Sequence, residues 1–267
     1  MTQSLRYPRA LLDAYFARDV YRDAARNRRG VGMLFTLLLA AIVTLLAVLR
    51  IAFALSGFAA GEAPRIIAQL PTITVDHGRV AIDRPSPVTI HDPRTGAPIA
   101  VIDTSGAVPS LEGSEAWLLL TRDRLIYRKS AAETRVFELA GVPHFVLDRD
   151  RATRWVRGAT MWGPWIAMPF ILVAMLVARL IQQLLAALAV LLVGRGAALD
   201  FAAAMRLGVL AIAPATITLD LAGFAGLKVP ASGWLWCAIT VGYVLFAVAA
   251  CRTPAPAGPI DSPDLGL

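Results

Sequence analysis

The chain has 267 residues, of which 57% are hydrophobic and only 17% charged, and its mean hydropathy of +0.61 lies outside the range of ordinary soluble domains. Composition therefore excludes a purely soluble domain and points to a chain that lives in a bilayer. The net charge of +7 does not point to nucleic acid, because seven of the 26 basic residues (Arg6, Arg9, Arg18, Arg22, Arg26, Arg28, Arg29) stand ahead of the first apolar run; that pattern fits cytoplasmic anchoring against anionic lipid.

Residues 1–30 form an N-terminal cytoplasmic segment. Within it Leu12, Phe16, Val20 and Ala24 recur every four residues with arginines between them, which predicts an amphipathic helix lying in the interface. A solvated charged helix is the other reading. Residues 31–58 read as the first transmembrane helix: 33–49 is uninterrupted and Arg50 reaches the far interface. The apolar core exceeds that of a cleaved signal peptide, so this is an uncleaved anchor.

In residues 59–158 the period changes to two. "TITVD", "RVAID", "PVTIH", "PIAVID", "WLLLT" and "LIYRK" are short and rich in β-branched or aromatic residues. Turn-prone Asp76-His77-Gly78, Asp92-Pro93-Arg94-Thr95-Gly96 and Thr121-Arg122-Asp123-Arg124 separate them, which predicts an antiparallel sheet folded over itself. The segment has no cysteine. Cys237 and Cys251 lie fourteen residues apart in the last apolar run, roughly 21 Å along a helix and too far to bridge. The stretch "DRDRATRWVRG" from Asp148 reads as a helix or linker feeding the second span.

Residues 159–252 hold three more transmembrane helices, at about 160–193, 201–224 and 233–251. The stretch 161–193 is read as one helix about 50 Å long, because Arg179, Gln182 and Gln183 offer no glycine or proline for a reversal. Pro214 falls near the middle of the third span. The tail 253–267 is expected to be disordered. Arginines gather near Arg179, Arg195, Arg206 and Arg252, whereas Trp155, Trp162, Trp165, Trp234 and Trp236 mark the opposite interface. Both termini are thus expected in the cytoplasm and 59–158 outside. The expected fold is an α-helical bundle of four transmembrane helices with an inserted extracytoplasmic β-rich domain.

One stretch tests for catalysis. Asp103-Thr104-Ser105-Gly106 follows Val101-Ile102 as in an aspartic-protease loop, but Gly106 stands one place late and no second copy supplies the partner acid. Asp first and Gly fourth is also the pattern of a type I turn, in which Asn would serve equally well at position 103. The protease reading needs a homodimer; the turn reading needs nothing further. His77, His91 and His144 lack metal-ligand spacing, and "GRGAALD" lacks the lysine of a phosphate loop, so neither metal nor cofactor is expected. The ionisable residues Arg50, Arg179, Arg206 and Asp220 each fall near a span end, where water or snorkelling removes most of the burial cost. A small-solute or lipid transporter component is the alternative they leave open.

Several stretches together, "FARDVYRDAARNRRGVGMLFTLLLA", "QLPTITVDHGRVAI", "IAVIDTSG" and "LDFAAAMRLGVLAIAPATI", resemble the bacterial domain of unknown function 1189 family of inner-membrane proteins, within the Yip superfamily. Leu70-Pro71, Gly78, Ile102-Asp103-Thr104 and Pro214 carry the likeness in order. The resemblance implies a bacterial cytoplasmic membrane and an extracytoplasmic insertion, and it implies no catalytic residue. The function expected is non-enzymatic: binding of an envelope or membrane partner, with an exposed edge strand able to accept a partner segment. An oligomer is possible on this reading.

Overall fold

The computed structural model describes residues 11–26, 30, 32–130, 133–195 and 199–252. The tail 253–267, residues 196–198 of "GRGAALD", and Arg6, Arg9, Arg28 and Arg29 lie outside the described residues. In chain order come α1 (Arg18–Arg26), α2 (Met33–Ala60), α3 (Glu62–Gln69), β1 (Ile73–Asp76), β2 (Arg79–Ile82), β3 (Val88–His91), β4 (Pro98–Ile102), β5 (Leu118–Leu120), β6 (Arg124–Arg128), β7 (Thr134–Glu138), β8 (Phe145–Leu147), α4 (Arg149–Val193), α5 (Phe201–Phe224) and α6 (Ser232–Arg252). Helices α2, α4, α5 and α6 are long and apolar enough to cross a membrane. The chain divides into two compact units, residues 51–166 and residues 1–50 with 167–267.

In the unit of residues 51–166 the six segments with a period of two are all strands, and they build two sheets. One has the order β2-β1-β8 and is antiparallel; the other has the order β3-β4-β5-β6-β7. The expectation of an antiparallel sheet is corrected at one pair, because β4 and β5 run parallel with Ala100 opposite Leu118 and Ile102 opposite Leu120. A parallel neighbour requires a crossover rather than a turn, and residues 103–117 provide it. Strand β4 is an interior strand and feeds two cores: Ala100 and Ile102 join Ile73, Val75, Val80 and Ile90, while Val101 joins Leu111, Ala116, Leu119 and Ile126. Helix α3 and strands β7 and β8 were not anticipated. Leu70 ends α3 in an extended conformation, which Pro71 after it enforces.

In the other unit α5 is the enclosed element, with every residue of 206–216 buried. Asp200 caps it, its side chain accepting from the Ala203 N–H at 2.7 Å. Gly208 allows α4 to come close: a Cβ there would lie 2.9 Å from the Gln183 carbonyl oxygen and 3.0 Å from the Ala187 nitrogen. The apolar stretch 161–193 lies in one helix that begins at Arg149, so the linker reading of "DRDRATRWVRG" gives way to helix. The expected four-residue stripe is corrected too. The chain turns at 14–16, so Val20 and Ala24 pack into the helical core while Leu12 and Phe16 are 72% and 84% exposed.

Candidate functional site

Asp103 opens the crossover between β4 and β5, and it is 1% exposed. One carboxylate oxygen accepts from the Ser105 N–H (2.8 Å), the Ser105 hydroxyl (2.6 Å), the Ser86 hydroxyl (2.8 Å) and the Gly106 N–H (3.3 Å). The other accepts from the Val108 N–H at 2.5 Å. Burial alone would raise the pKa of this acid, but the donors from Ser105, Val108 and Ser86 outweigh it and hold the carboxyl well below the usual carboxylate range. The Thr104 N–H donates to the Ser86 hydroxyl at 2.8 Å, and Gly106 takes a positive φ of 88°, where glycine is favoured. Residues 104–107 are bends whose reversal is held by the Asp103 side chain; Ser105, Gly106 and Ala107 are exposed, while solvent does not reach the carboxylate beneath them. Nothing in the sequence marks Ser86 or Val108 as partners, because both are fixed by sheet topology.

The candidate residues Arg179, Asp220 and Arg206 of the helical unit fall in two separate clusters. On one side Arg179 of α4, 8% exposed, donates to Gln182 Oε1 (2.6 Å) and Thr216 Oγ1 (3.2 Å), and its guanidinium lies 3.5 Å from the Asp220 carboxylate. The Trp236 indole donates to the same Thr216 hydroxyl at 3.1 Å. Arg179 Nε and Asp220 Oδ2 are buried without a hydrogen-bond partner. Sequence reasoning named Arg179 and Asp220 singly; the structure pairs them and adds Gln182, Thr216 and Trp236.

Arg206 belongs to the second cluster. It donates to the carbonyls of Ala24 (2.5 Å) and Ala25 (3.2 Å), in the last turn of α1 where a helix leaves its carbonyls open, and to that of Gly30 beyond the helix (2.5 Å). Close by, the Thr36 hydroxyl donates to Gln183 Oε1 at 2.6 Å and the Gln183 amide donates to the Met205 carbonyl at 3.0 Å. Pro214 lacks the N–H that would bond one turn back, and its own carbonyl accepts from the Tyr15 hydroxyl at 3.3 Å.

Gly78 closes the β1–β2 hairpin. His77 and Gly78 have φ of 47° and 78°, the pair of positive angles that a two-residue hairpin of this twist requires. A Cβ on Gly78 would fall 2.6 Å from Ala140 Cα, so sterics and conformation both select glycine. His77 and His144 approach Asp76 at 3.0 and 3.5 Å; the His77 hydrogen bond foremost lowers the Asp76 pKa. Among the described residues no group of three or more His, Cys, Asp or Glu side chains is arranged to hold a metal ion.

Strand β7 is the outer strand of the larger sheet. All five of its residues are exposed, Val136 by 54% and Phe137 by 49%. The hydrogen bonds Lys129 N–H to Glu133 O and Leu139 N–H to Asp123 O, both 2.9 Å, fix the alternation of the ladder. Residues 135 and 137 therefore bond β6, while the backbone N–H and C=O of Thr134, Val136 and Glu138 face away from it.

No curated protein and no solved structure matches the chain. The family described as "Protein of unknown function (DUF1189)" matches residues 9–248, and the chain belongs to that family.

Proposed function

We propose that this member of the family is a non-enzymatic, multi-pass protein of the bacterial cytoplasmic membrane that docks an extended segment of an envelope protein on strand β7. Helices α2, α4, α5 and α6 are the spans, both termini are cytoplasmic, and the β unit is extracytoplasmic. The observation that carries the docking role is the open edge of β7. Its outward backbone groups at Thr134, Val136 and Glu138 and its exposed Val136 and Phe137 are the chemistry by which a sheet accepts one more strand. The enclosure of Asp103 by five donors supports a structural carboxylate rather than a catalytic one. A likeness to Yip proteins in span architecture carries no activity over.

The test is in-cell crosslinking of the full chain, isolation in mild detergent and mass spectrometry, comparing wild type with Val136→Pro. Proline removes the outward N–H while leaving the bonds to β6 in place. An envelope protein captured by wild type and reduced to background by Val136→Pro supports the reading. Equal capture by both, or capture only of a second copy of the chain, overturns it.

A second reading, transport of a small solute or lipid, is favoured by the ion pair of buried Arg179 with half-buried Asp220, in which Nε and Oδ2 make no hydrogen bond, since ionisable groups inside spans mark solute and proton pathways. It expects Asp220→Asn to abolish solute-dependent growth at unchanged protein level. Retained growth counts against it.

A further inference from the structure

Where α2 ends and α4 begins, within the unit of residues 51–166, lies a groove of about 330 Å³ lined by Ala59, Thr153, Val156, Arg157, Thr160 and Met161. Its walls are apolar at Ala59, Val156 and Met161. The hydroxyl protons of Thr153 and Thr160 are already donated to the carbonyls of Arg149 and Val156, both at 2.8 Å. The donor left for a ligand is therefore the Arg157 guanidinium.

The arginines around it divide by role. Arg149 donates to the Leu70 carbonyl (3.2 Å), and Arg151 donates to the Val146 carbonyl (2.6 Å) and lies over the Phe145 ring. Arg149 thus ties α4 to the end of α3, and Arg151 ties it to β8. Arg157 has no hydrogen-bond or ion-pair partner among the described residues. The depth of the groove is set by its neighbours on α4: Trp155, Trp162 and Trp165 are 54%, 58% and 64% exposed, and exposed indoles of a span settle at headgroup level.

We propose that this groove binds an anionic phospholipid, with Arg157 on the headgroup phosphate and an acyl chain against Ala59 and Met161. The proposal rests on the reading of α2 and α4 as membrane spans. Three features converge on a lipid: an unpaired cation, an apolar wall beside it, and a tryptophan belt at the depth where lipid phosphates lie. A soluble phosphate would satisfy the cation and leave the apolar wall uncovered.

The test places the full chain in nanodiscs of phosphatidylcholine and phosphatidylglycerol in equal parts. The chain is then released into mild detergent, and retained lipid is counted by native mass spectrometry. Wild type is expected to keep phosphatidylglycerol in preference to phosphatidylcholine. Arg157→Gln, which removes the charge, and Ala59→Phe, which fills the groove without touching charge, are each expected to lower retention about fivefold. Arg122→Gln, at an exposed arginine of the β5–β6 turn, is expected to leave it unchanged. Equal retention by wild type and Arg157→Gln, or no preference between the two lipids, overturns the site while the spans stand. A chain that does not enter the nanodiscs overturns the span reading and the site together.

Discussion

At Asp103, five donors converge on a group that only accepts, and that decides how the position responds to change. Asn in its place keeps one acceptor oxygen and turns an NH2 toward donors, so the geometry argues against the expectation that Asn serves equally well. Asp103→Asn is expected to cost about 1–3 kcal/mol and to raise hydrogen–deuterium exchange over residues 103–110. The pH dependence follows from the lowered pKa. A carboxyl held below its unfolded value contributes stability that is fully present above that value, about 3.9. The contribution is lost as pH falls toward and through the folded value. Protection of the 103–110 segment should therefore hold down to about pH 4 and decline below it, while Asp103→Asn shows no such decline; an identical acid profile for the two would refute the assignment. Sequence made a reversal at 103–106 legible, since Asp103 and Gly106 are usual residues of one, although the residues after Asp103 are bends held by its side chain. It did not make the burial legible, because Ser86 and Val108 arrive from β3's approach and the crossover. Arg206 teaches the same lesson: its position near a helix end suggested snorkelling, yet its partners are two carbonyls of the last turn of α1 and that of Gly30 beyond it.

For whole elements, legibility tracked periodicity. Six strands alternate and were readable; β7 has no buried side to alternate with, and β8 is three residues long. The parallel β4–β5 pair was missed because turn signals report only neighbours, although the fifteen-residue link between Ile102 and Leu118 is long enough for a crossover. Helix packing left a weaker trace. Gly208 stands among small residues in "AAAMRLGVLAIA", and nothing in the pattern says which of them faces α4. The structure does: a Cβ at Gly208 meets backbone atoms of Gln183 and Ala187, which cannot rotate away as a side chain would. Gly208→Leu is expected to lower the thermal unfolding midpoint of the detergent-purified protein, at a cost of about 1–3 kcal/mol for overpacking. Gly242→Leu on α6 is the matched control, since a Cβ there meets nothing within 4 Å. Equal midpoints for the two variants would show that α4 and α5 do not pack through Gly208.

Across the whole molecule, helix length and charge constrain the proposed crossing of a bilayer. Helix α4 has 45 residues and is about 67 Å long, roughly twice the ~30 Å hydrocarbon core, so on the proposed spanning topology much of it extends beyond the apolar layer or tilts strongly. Helix α1 indicates which end. Five of its nine residues are charged, Arg18, Asp19, Arg22, Asp23 and Arg26, yet it packs against α5 and α6 through Val20, Tyr21 and Ala24. A helix so charged is costly in hydrocarbon; on the proposed topology the parts of α5 and α6 that it covers leave the apolar layer with it, on the side of Arg195, Arg206 and Arg252. The tryptophans Trp234 and Trp236 open α6 at its other end. Sidedness is therefore measurable in a background of Cys237→Ser with Cys251→Ser. In cells whose outer membrane is permeabilised, an impermeant maleimide is expected to label Arg122→Cys and Lys228→Cys, and to label Arg195→Cys only once the cytoplasmic membrane is opened. Labelling of Arg195→Cys alone would reverse the orientation and leave four spans. Labelling of Lys228→Cys together with Arg195→Cys, and apart from Arg122→Cys, would mean that α5 and α6 dip into the bilayer and return on the same side.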